Sequence, residues 1–146
     1  MAPWLFTSAI LEGRPIDVFN HGRMRRDFTY VDDIAEGTVR ALDHAPQRSQ
    51  RPADGCNLQP GSSDAPYRVY NIGNHQPVEL LDFIGALERA LGREAVKNFK
   101  PMQPGDVKAT YADTEALRHD VGFEPRTPLA DGLARWADWY RTYKGL

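Results

Sequence analysis

A tyrosine and a lysine four residues apart, Tyr140 and Lys144, lie in the run "YRTYK" near the end of the sequence. On a helix that spacing sets an ammonium beside a phenol, lowering the phenol's pKa until it can act as a base. Tyr140, however, falls on one apolar stripe with Leu129, Leu133, Trp136 and Tyr143, so it reads as a core residue. Two further stretches carry polar groups suited to ligands. "MRRDFTYVDDI", from Met24 to Ile34, places two arginines ahead of an alternating segment. An arginine held at a strand start can fork onto phosphate oxygens, because its planar donors match them bidentately. Arg25 and Arg26 can equally form a solvated pair, or one of them can pair with Asp27, and composition alone favours these plainer readings. In "MQPGDV", Pro104 and Gly105 enforce a tight turn from which Asp106 projects. Its short carboxylate can accept hydrogen bonds from sugar hydroxyls, or close a turn on its own backbone. Neither stretch by itself names a function.

Other chemistries find little support. The glycines never fall in a GxGxxG or GxxGxxG pattern, so this sequence alone builds no ordinary dinucleotide site. His21, His44, His75 and His119 lack metal-ligand spacing, and Cys56 has no second thiol, so no metal site is expected. No nucleophile elbow is present. Eighteen basic residues against twenty acidic ones leave a formal charge of −2, which argues against bulk nucleic-acid binding. The lone cysteine, with no apolar run of transmembrane length and no charged-then-apolar leader, points to the cytoplasm.

The elements that must position these residues alternate in type. "APWLFTSAILEG" has Trp4, Leu5, Ser8 and Leu11 at helical spacing, with Gly13 as a stop. A chain that opens inside such a helix is expected to be cut from something larger. "PIDVF", Pro15 to Phe19, and "DFTYV", Asp27 to Val31, read as strands and are candidate neighbours. Asp33 is placed as the N-cap of the next helix, with Glu36 completing a capping box and Ala35, Val39 and Leu42 on one stripe. Ala45 to Pro66 is polar and rich in breakers, and is expected to be a long surface loop. "YRVYNIG", Tyr67 to Gly73, reads as a strand buried on both faces. A helix follows from Pro77, with a stripe of Leu80, Ile84, Leu87 and Leu91 ended by Gly92. "AVKNF" is a short strand candidate, Asp113 caps a short helix, and Thr127–Pro128 starts the last one. Strands alternating with helices define an α/β class, taken as a single domain over residues 1–146.

Four segments in order, "PIDVFNHGRMRRDFTYVDDIAEG", "APYRVYNIGNHQPVELLDFI", "MQPGDVKATYAD" and "TPLADGLARWADWY", resemble one family. The sequence is similar to the C-terminal, substrate-binding part of the NAD-dependent nucleotide-sugar epimerases and dehydratases, extended short-chain dehydrogenases, and most of all to their UDP-glucuronate 4-epimerase branch. That resemblance implies a small mixed sheet with flanking helices, the N-terminal Rossmann half being missing. It implies that Arg26 contacts the diphosphate of a UDP-sugar, that Asp106 contacts the ribose, and that the backbone of Asp17, Val18 and Phe19 lies along the uracil. Gln103 stands where UDP-galactose relatives often carry an arginine, which implies a diphosphate held by one fewer cation.

The family's NAD turn, its catalytic Ser or Thr, and its Tyr-x-x-x-Lys would all lie upstream. NAD therefore belongs to the full-length family, with none expected on this chain alone, and no catalytic residue is assigned. The implied role is a UDP-sugar-binding portion of an epimerase, inactive by itself. The alternatives are a related decarboxylase or dehydratase portion, or an interaction or RNA-binding module in which Phe28 and Tyr30 would stack bases. The expected partner is the missing Rossmann half, or a second copy docked through the apolar face left bare on the helix after Asp33 and on "VYNIG".

Overall fold

The computed structural model describes residues 2–48 and 61–146. In chain order the elements are α1 (Ala2–Glu12), β1 (Ile16–Val18), a tight turn over Phe19–Gly22, β2 (Arg25–Arg26), α2 (Val31–Leu42), β3 (Val78–Glu79), α3 (Leu80–Leu91), β4 (Lys97–Phe99), β5 (Ala109–Thr110), α4 (Glu115–Val121) and α5 (Leu129–Lys144). Helix periodicity sets the main packing unit. Ile10 of α1, Phe83, Ile84 and Leu87 of α3, and Leu133 and Ala137 of α5 meet over Ile16 and Val18 of β1. Phe83, Ile84, Leu87, Ile10 and Val18 are each almost wholly removed from water. Gly92 and Gly145 end α3 and α5 in the left-handed conformation that glycine adopts without strain. The indole N–H of Trp136 donates to the buried Thr7 hydroxyl at 2.9 Å, tying α5 to α1.

Two small sheets complete the α/β architecture. β1 pairs in parallel with β4, Ile16 opposite Lys97 and Val18 opposite Phe99. β2 lies between β3, antiparallel to it, and β5, parallel to it. β1 and the next strand in the chain, β2, therefore lie in different sheets and are not neighbours. The chain turns sharply between them, with Asn20 at φ 50°, His21 at φ 51° and Gly22 at φ 80°. Asn20 steadies this turn by donating to the Arg23 carbonyl at 2.7 Å. The second strand is also shifted, covering Arg25–Arg26 and not Asp27–Val31, because Phe28 leaves the ladder to stack on Phe83 at 4.2 Å.

α2 corrects two expectations, the Asp33 cap and the capping box, and leaves its apolar stripe bare as expected. It starts at Val31 after Tyr30, so Asp33 is not its N-cap. Asp33 is buried in the first turn, where its carboxylate accepts the N–H groups of Arg126 (3.4 Å) and Thr127 (3.1 Å). Glu36 pairs with Arg40 one turn on and closes no capping box. The helix docks through Asp33 and Gly37, since a Cβ on Gly37 would lie 2.8 Å from the Phe123 ring. That close approach turns the Ala35–Val39–Leu42 stripe outward, leaving Val39 57% and Leu42 76% exposed.

Tyr67 to Gly73 is not a strand buried on both faces. Among the described residues it makes one isolated bridge, Ser62 to Arg68, and Tyr67 and Val69 are half exposed. Lacking neighbouring strands, it is held by side chains. Arg68 and Tyr70 both donate to Asp120 at 3.1 Å, and Asn71 donates to the Asp113 carbonyl at 3.2 Å. Residues 49–60 of the expected loop, Cys56 among them, lie outside the described residues. Asp113 does serve α4, its carboxylate accepting the N–H of Glu115 at 3.1 Å.

The Asp120 clamp makes stability depend on acid. The His119 ring at 2.8 Å, followed by Tyr70 and Arg68, holds the Asp120 carboxyl below its usual 3.8 despite the opposing effect of burial. In the unfolded chain the carboxyl titrates at its ordinary value, so the native state binds the proton less readily. The contribution is complete above that value and is lost as pH falls through the lowered native one. Asp120→Asn is expected to flatten the acid limb of a stability-against-pH curve followed by circular dichroism. An unchanged limb would show that the clamp contributes nothing there.

Candidate functional site

The structure joins Arg26 and Asp106, eighty residues apart in sequence, at 2.8 Å. β2 fixes the arginine and a tight turn fixes the aspartate. The Asp106 N–H donates to the Gln103 carbonyl at 3.2 Å, and Gly105 adopts φ 82°. Proline followed by a left-handed glycine gives that turn its shape. Asp106 Oδ1 also accepts the Val107 N–H at 2.8 Å, so the carboxylate both closes on its own backbone and meets the arginine. Arg26 Nη1 donates to the Arg25 carbonyl at 2.8 Å, which pins the other arm of the guanidinium. About a quarter of the arginine side chain and a third of the aspartate side chain remain exposed. The fork thus keeps donors for an incoming anion, while Asp106 Oδ2 stays available to a hydroxyl.

Arg25 points to the opposite side of β2, as successive strand residues must. It pairs with Glu79 at 3.2 Å and donates to the Pro77 carbonyl, so it is a surface ion pair. Neither arginine pairs with Asp27. A cleft of about 570 Å³ opens on the Arg25 side, lined by His21, Arg23, Leu81 and Lys108 among others, and it includes neither Arg26 nor Asp106.

The β1 residues form the second part of the site. Val18 is fully buried and its carbonyl accepts the Lys100 N–H at 2.9 Å, so its side chain is packed away and its backbone is engaged by the ladder. Ile16 and Val18 make the ladder bonds to β4, since Ile16 N–H donates to Val96 at 2.8 Å. In such a parallel ladder the backbone groups of the intervening Asp17 face away from β4. The Asp17 carboxylate accepts from Lys100 at 2.7 Å and from Asn98 at 2.8 Å. The Lys100 hydrogen bond is the main reason that the Asp17 carboxyl lies below its usual value, opposed by partial burial and helped by Asn98. The Lys100 ammonium also sits 6.0 Å above the Phe19 ring. Lys100 was not a sequence candidate, and eighty-three residues separate it from Asp17, so no spacing signalled the pair. Gln103 is exposed, and its backbone carbonyl anchors the Asp106 turn. The segment from Lys100 to Val107 therefore links the β1 cluster to the Arg26–Asp106 pair.

Other candidates resolve as packing. Tyr140 is 3% exposed, its ring 5.0 Å from Trp4, and Lys144 lies over the Trp4 and Tyr143 rings. Phe28 stacks in the core, and Tyr30 lies beneath Arg135, 5.3 Å from its ring, so the two build no base platform. Among the described residues no cluster of histidine, cysteine, aspartate or glutamate could hold a metal ion, and no helix is long and apolar enough to cross a membrane.

This small mixed α/β fold is that of the C-terminal portion of an extended short-chain dehydrogenase. The chain belongs to the NAD-dependent epimerase/dehydratase family, whose model matches residues 3–73. It is 50% identical over 143 residues to protein CapI of Staphylococcus aureus, covering 98% of this chain and 42% of that protein. It is 40% identical over 147 residues to UDP-glucuronate 4-epimerase 4 of Arabidopsis thaliana, covering 98% of this chain and 32% of that protein. The structure of UDP-glucuronic acid 4-epimerase from Bacillus cereus in complex with UDP-glucuronic acid and NAD matches with a TM-score of 0.77 and 31% identity, over 98% of this chain and 40% of that one. The chain thus spans roughly a third to two fifths of the length of these relatives.

Proposed function

We propose that this chain is a single UDP-sugar-binding domain, the portion of an NAD-dependent UDP-glucuronate 4-epimerase that grips the nucleotide, inactive on its own. The observation that carries the reading is the Arg26–Asp106 pair, with spare donors on one partner and a spare acceptor on the other. Arg26 forks onto the diphosphate, where charge-assisted bonds are strongest. Asp106 Oδ2 accepts from a ribose hydroxyl. Uracil presents an N–H between two carbonyls, a pattern that the outward backbone of Asp17 and Phe19, on either side of the ladder-bound Val18, can meet much as a neighbouring strand would. Gln103 offers a neutral amide beside the diphosphate, which leaves Arg26 as the main cation there. Such a role suits the cytoplasm.

The Bacillus cereus structure named above holds NAD, a group that when bound would supply hydride transfer. The described residues do not fit it. The junction of β3 with α3 carries Glu79 where a dinucleotide site needs a glycine turn, and a carboxylate there repels a pyrophosphate. The hydride step is therefore assigned to no residue of this chain.

Titration with UDP at millimolar concentration is expected to shift the backbone amide signals of Phe19, Arg26 and Asp106 in nitrogen-15 spectra. Spectra that stay unchanged would remove the claim that the chain binds the nucleotide unaided.

The outward stripe of α2, together with the exposed Tyr67 and Val69, is read as the face that receives the cofactor-binding half. Uncovered, such a face favours self-association. Sedimentation velocity is expected to show concentration-dependent dimers. A strict monomer that also unfolds cooperatively at high temperature would oppose this reading.

A further inference from the structure

Arg26 is presented by a strand only two residues long, and so short a ladder does little to fix its own register. The backbone bonds of β2 end where Asp27 N–H donates to the Thr110 carbonyl at 3.1 Å. Past that point the Asp27 side chain takes over from the ladder. Its Oδ2 accepts the N–H groups of His75 at 3.0 Å and Ala112 at 3.3 Å, and its Oδ1 accepts that of Gln76 at 3.4 Å. One carboxylate thereby ties the segment entering β3 and the segment leaving β5 to the end of β2.

The surroundings are shaped for this contact. A Cβ on Gly73 would lie 2.9 Å from Asp27 Oδ2 and 2.5 Å from the Ala112 Cβ, so only glycine leaves the room. His75 adopts φ 54°, and its Nδ1 lies 2.9 Å from the Ala112 carbonyl, closing the same knot from the other side. Asp106 lies three residues before β5, so the register of β5 against β2 decides whether it faces Arg26. A slip of one residue would carry Arg26 to the other face of the sheet.

The geometry points to Asp27 as a positioning residue for the sugar-nucleotide site, holding β2 and β5 in the register that brings Arg26 and Asp106 together. This rests on the reading of Arg26 as the diphosphate contact. Asp27 touches no ligand in that reading and acts only through the two strands.

The test compares calorimetric affinities for uridine and UDP in the 146-residue chain. The ratio of the two dissociation constants isolates what the diphosphate contributes, whatever the overall stability. Asp27→Asn keeps the side-chain volume and one acceptor oxygen, and Asp27→Ala removes both. Asp27→Ala is expected to lower the ratio about tenfold and Asp27→Asn by less, both measured well below their melting temperatures. If Asp27→Ala does not fold, the isosteric Asp27→Asn carries the comparison alone. A melting temperature that falls while the ratio stays at the wild-type value would overturn the proposal and leave Asp27 a purely structural residue. Arg26→Ala is measured in parallel. If it collapses the ratio and the Asp27 variants do not, only the positioning role fails. If it too leaves the ratio unchanged, the diphosphate reading fails and the positioning role falls with it.

Discussion

Arg26→Ala is expected to bind UDP about 10- to 100-fold more weakly than the wild type, with affinity for uridine nearly unchanged. Hydrogen bonds to charged groups contribute about 1.5–3 kcal/mol, which spans that range. The fold should tolerate the change. The Arg26–Asp106 pair is a quarter to a third exposed, so water can solvate the carboxylate left behind. Pairs of that kind contribute only about 0–1 kcal/mol to stability. Arg26→Lys should recover part of the loss, because an ammonium supplies the charge without the planar fork. Calorimetric titrations with UDP and uridine decide the matter. An equal loss for both ligands would place Arg26 away from the phosphates.

Phe83→Ala carries the largest expected loss of stability. Phe83 is 1% exposed and lies in the core shared by α1, α3 and α5. Its ring stacks on Phe28 at 4.2 Å with planes 13° apart, and tilts against Phe6 at 6.5 Å. Truncating such a side chain costs about 3–5 kcal/mol, from lost burial plus the cavity left behind. Native domains have only about 5–15 kcal/mol in total, so the variant should be partly unfolded or close to it at room temperature. Its effect should reach the site as well, since Phe28 follows Asp27 and anchors the chain that leaves β2. Leu81→Ala on the same helix is the control. That side chain is 42% exposed and its loss should cost little. A denaturant midpoint for Phe83→Ala within error of the Leu81→Ala value would show that the α1–α3–α5 core is not what holds the chain together.

The sequence was most legible where one helix face meets one apolar core. The stripe Leu80, Ile84, Leu87, Leu91 matches the buried side of α3, and Gly92 ends it, because a 3.6-residue period leaves no other face to bury. α2 was legible in the same way, since the apolar face expected to stand bare in this chain is the exposed one. Its apolar stripe was plain in the sequence, and the surface it packs on within this chain is reached through Gly37 and Asp33. Periodicity says which face is apolar and not which face a neighbour occupies. The strands were harder. β2, β3 and β5 have two residues each, too few for alternation to register, and Asp27 to Tyr30 alternates without belonging to a strand. In "MRRDFTYVDDI" the sequence offers the aspartates as partners of arginines or as caps. Asp27 and Asp33 instead accept backbone N–H groups from segments 48 and 94 residues away.

By itself the sequence determined the α/β class, the four longer helices among the described residues, the packing role of Tyr140 and, through four ordered motifs, the family. These follow from local periodicity, turn chemistry and the order of motifs, all of which are written along the chain. Only the tertiary structure decided that Arg26 meets Asp106, that Lys100 meets Asp17, and that Asp27 fastens the strands which carry the first pair. Each of those contacts closes a loop of more than forty residues. Which distant groups meet across such a loop is set by packing and sheet register, and no residue type or spacing encodes it locally.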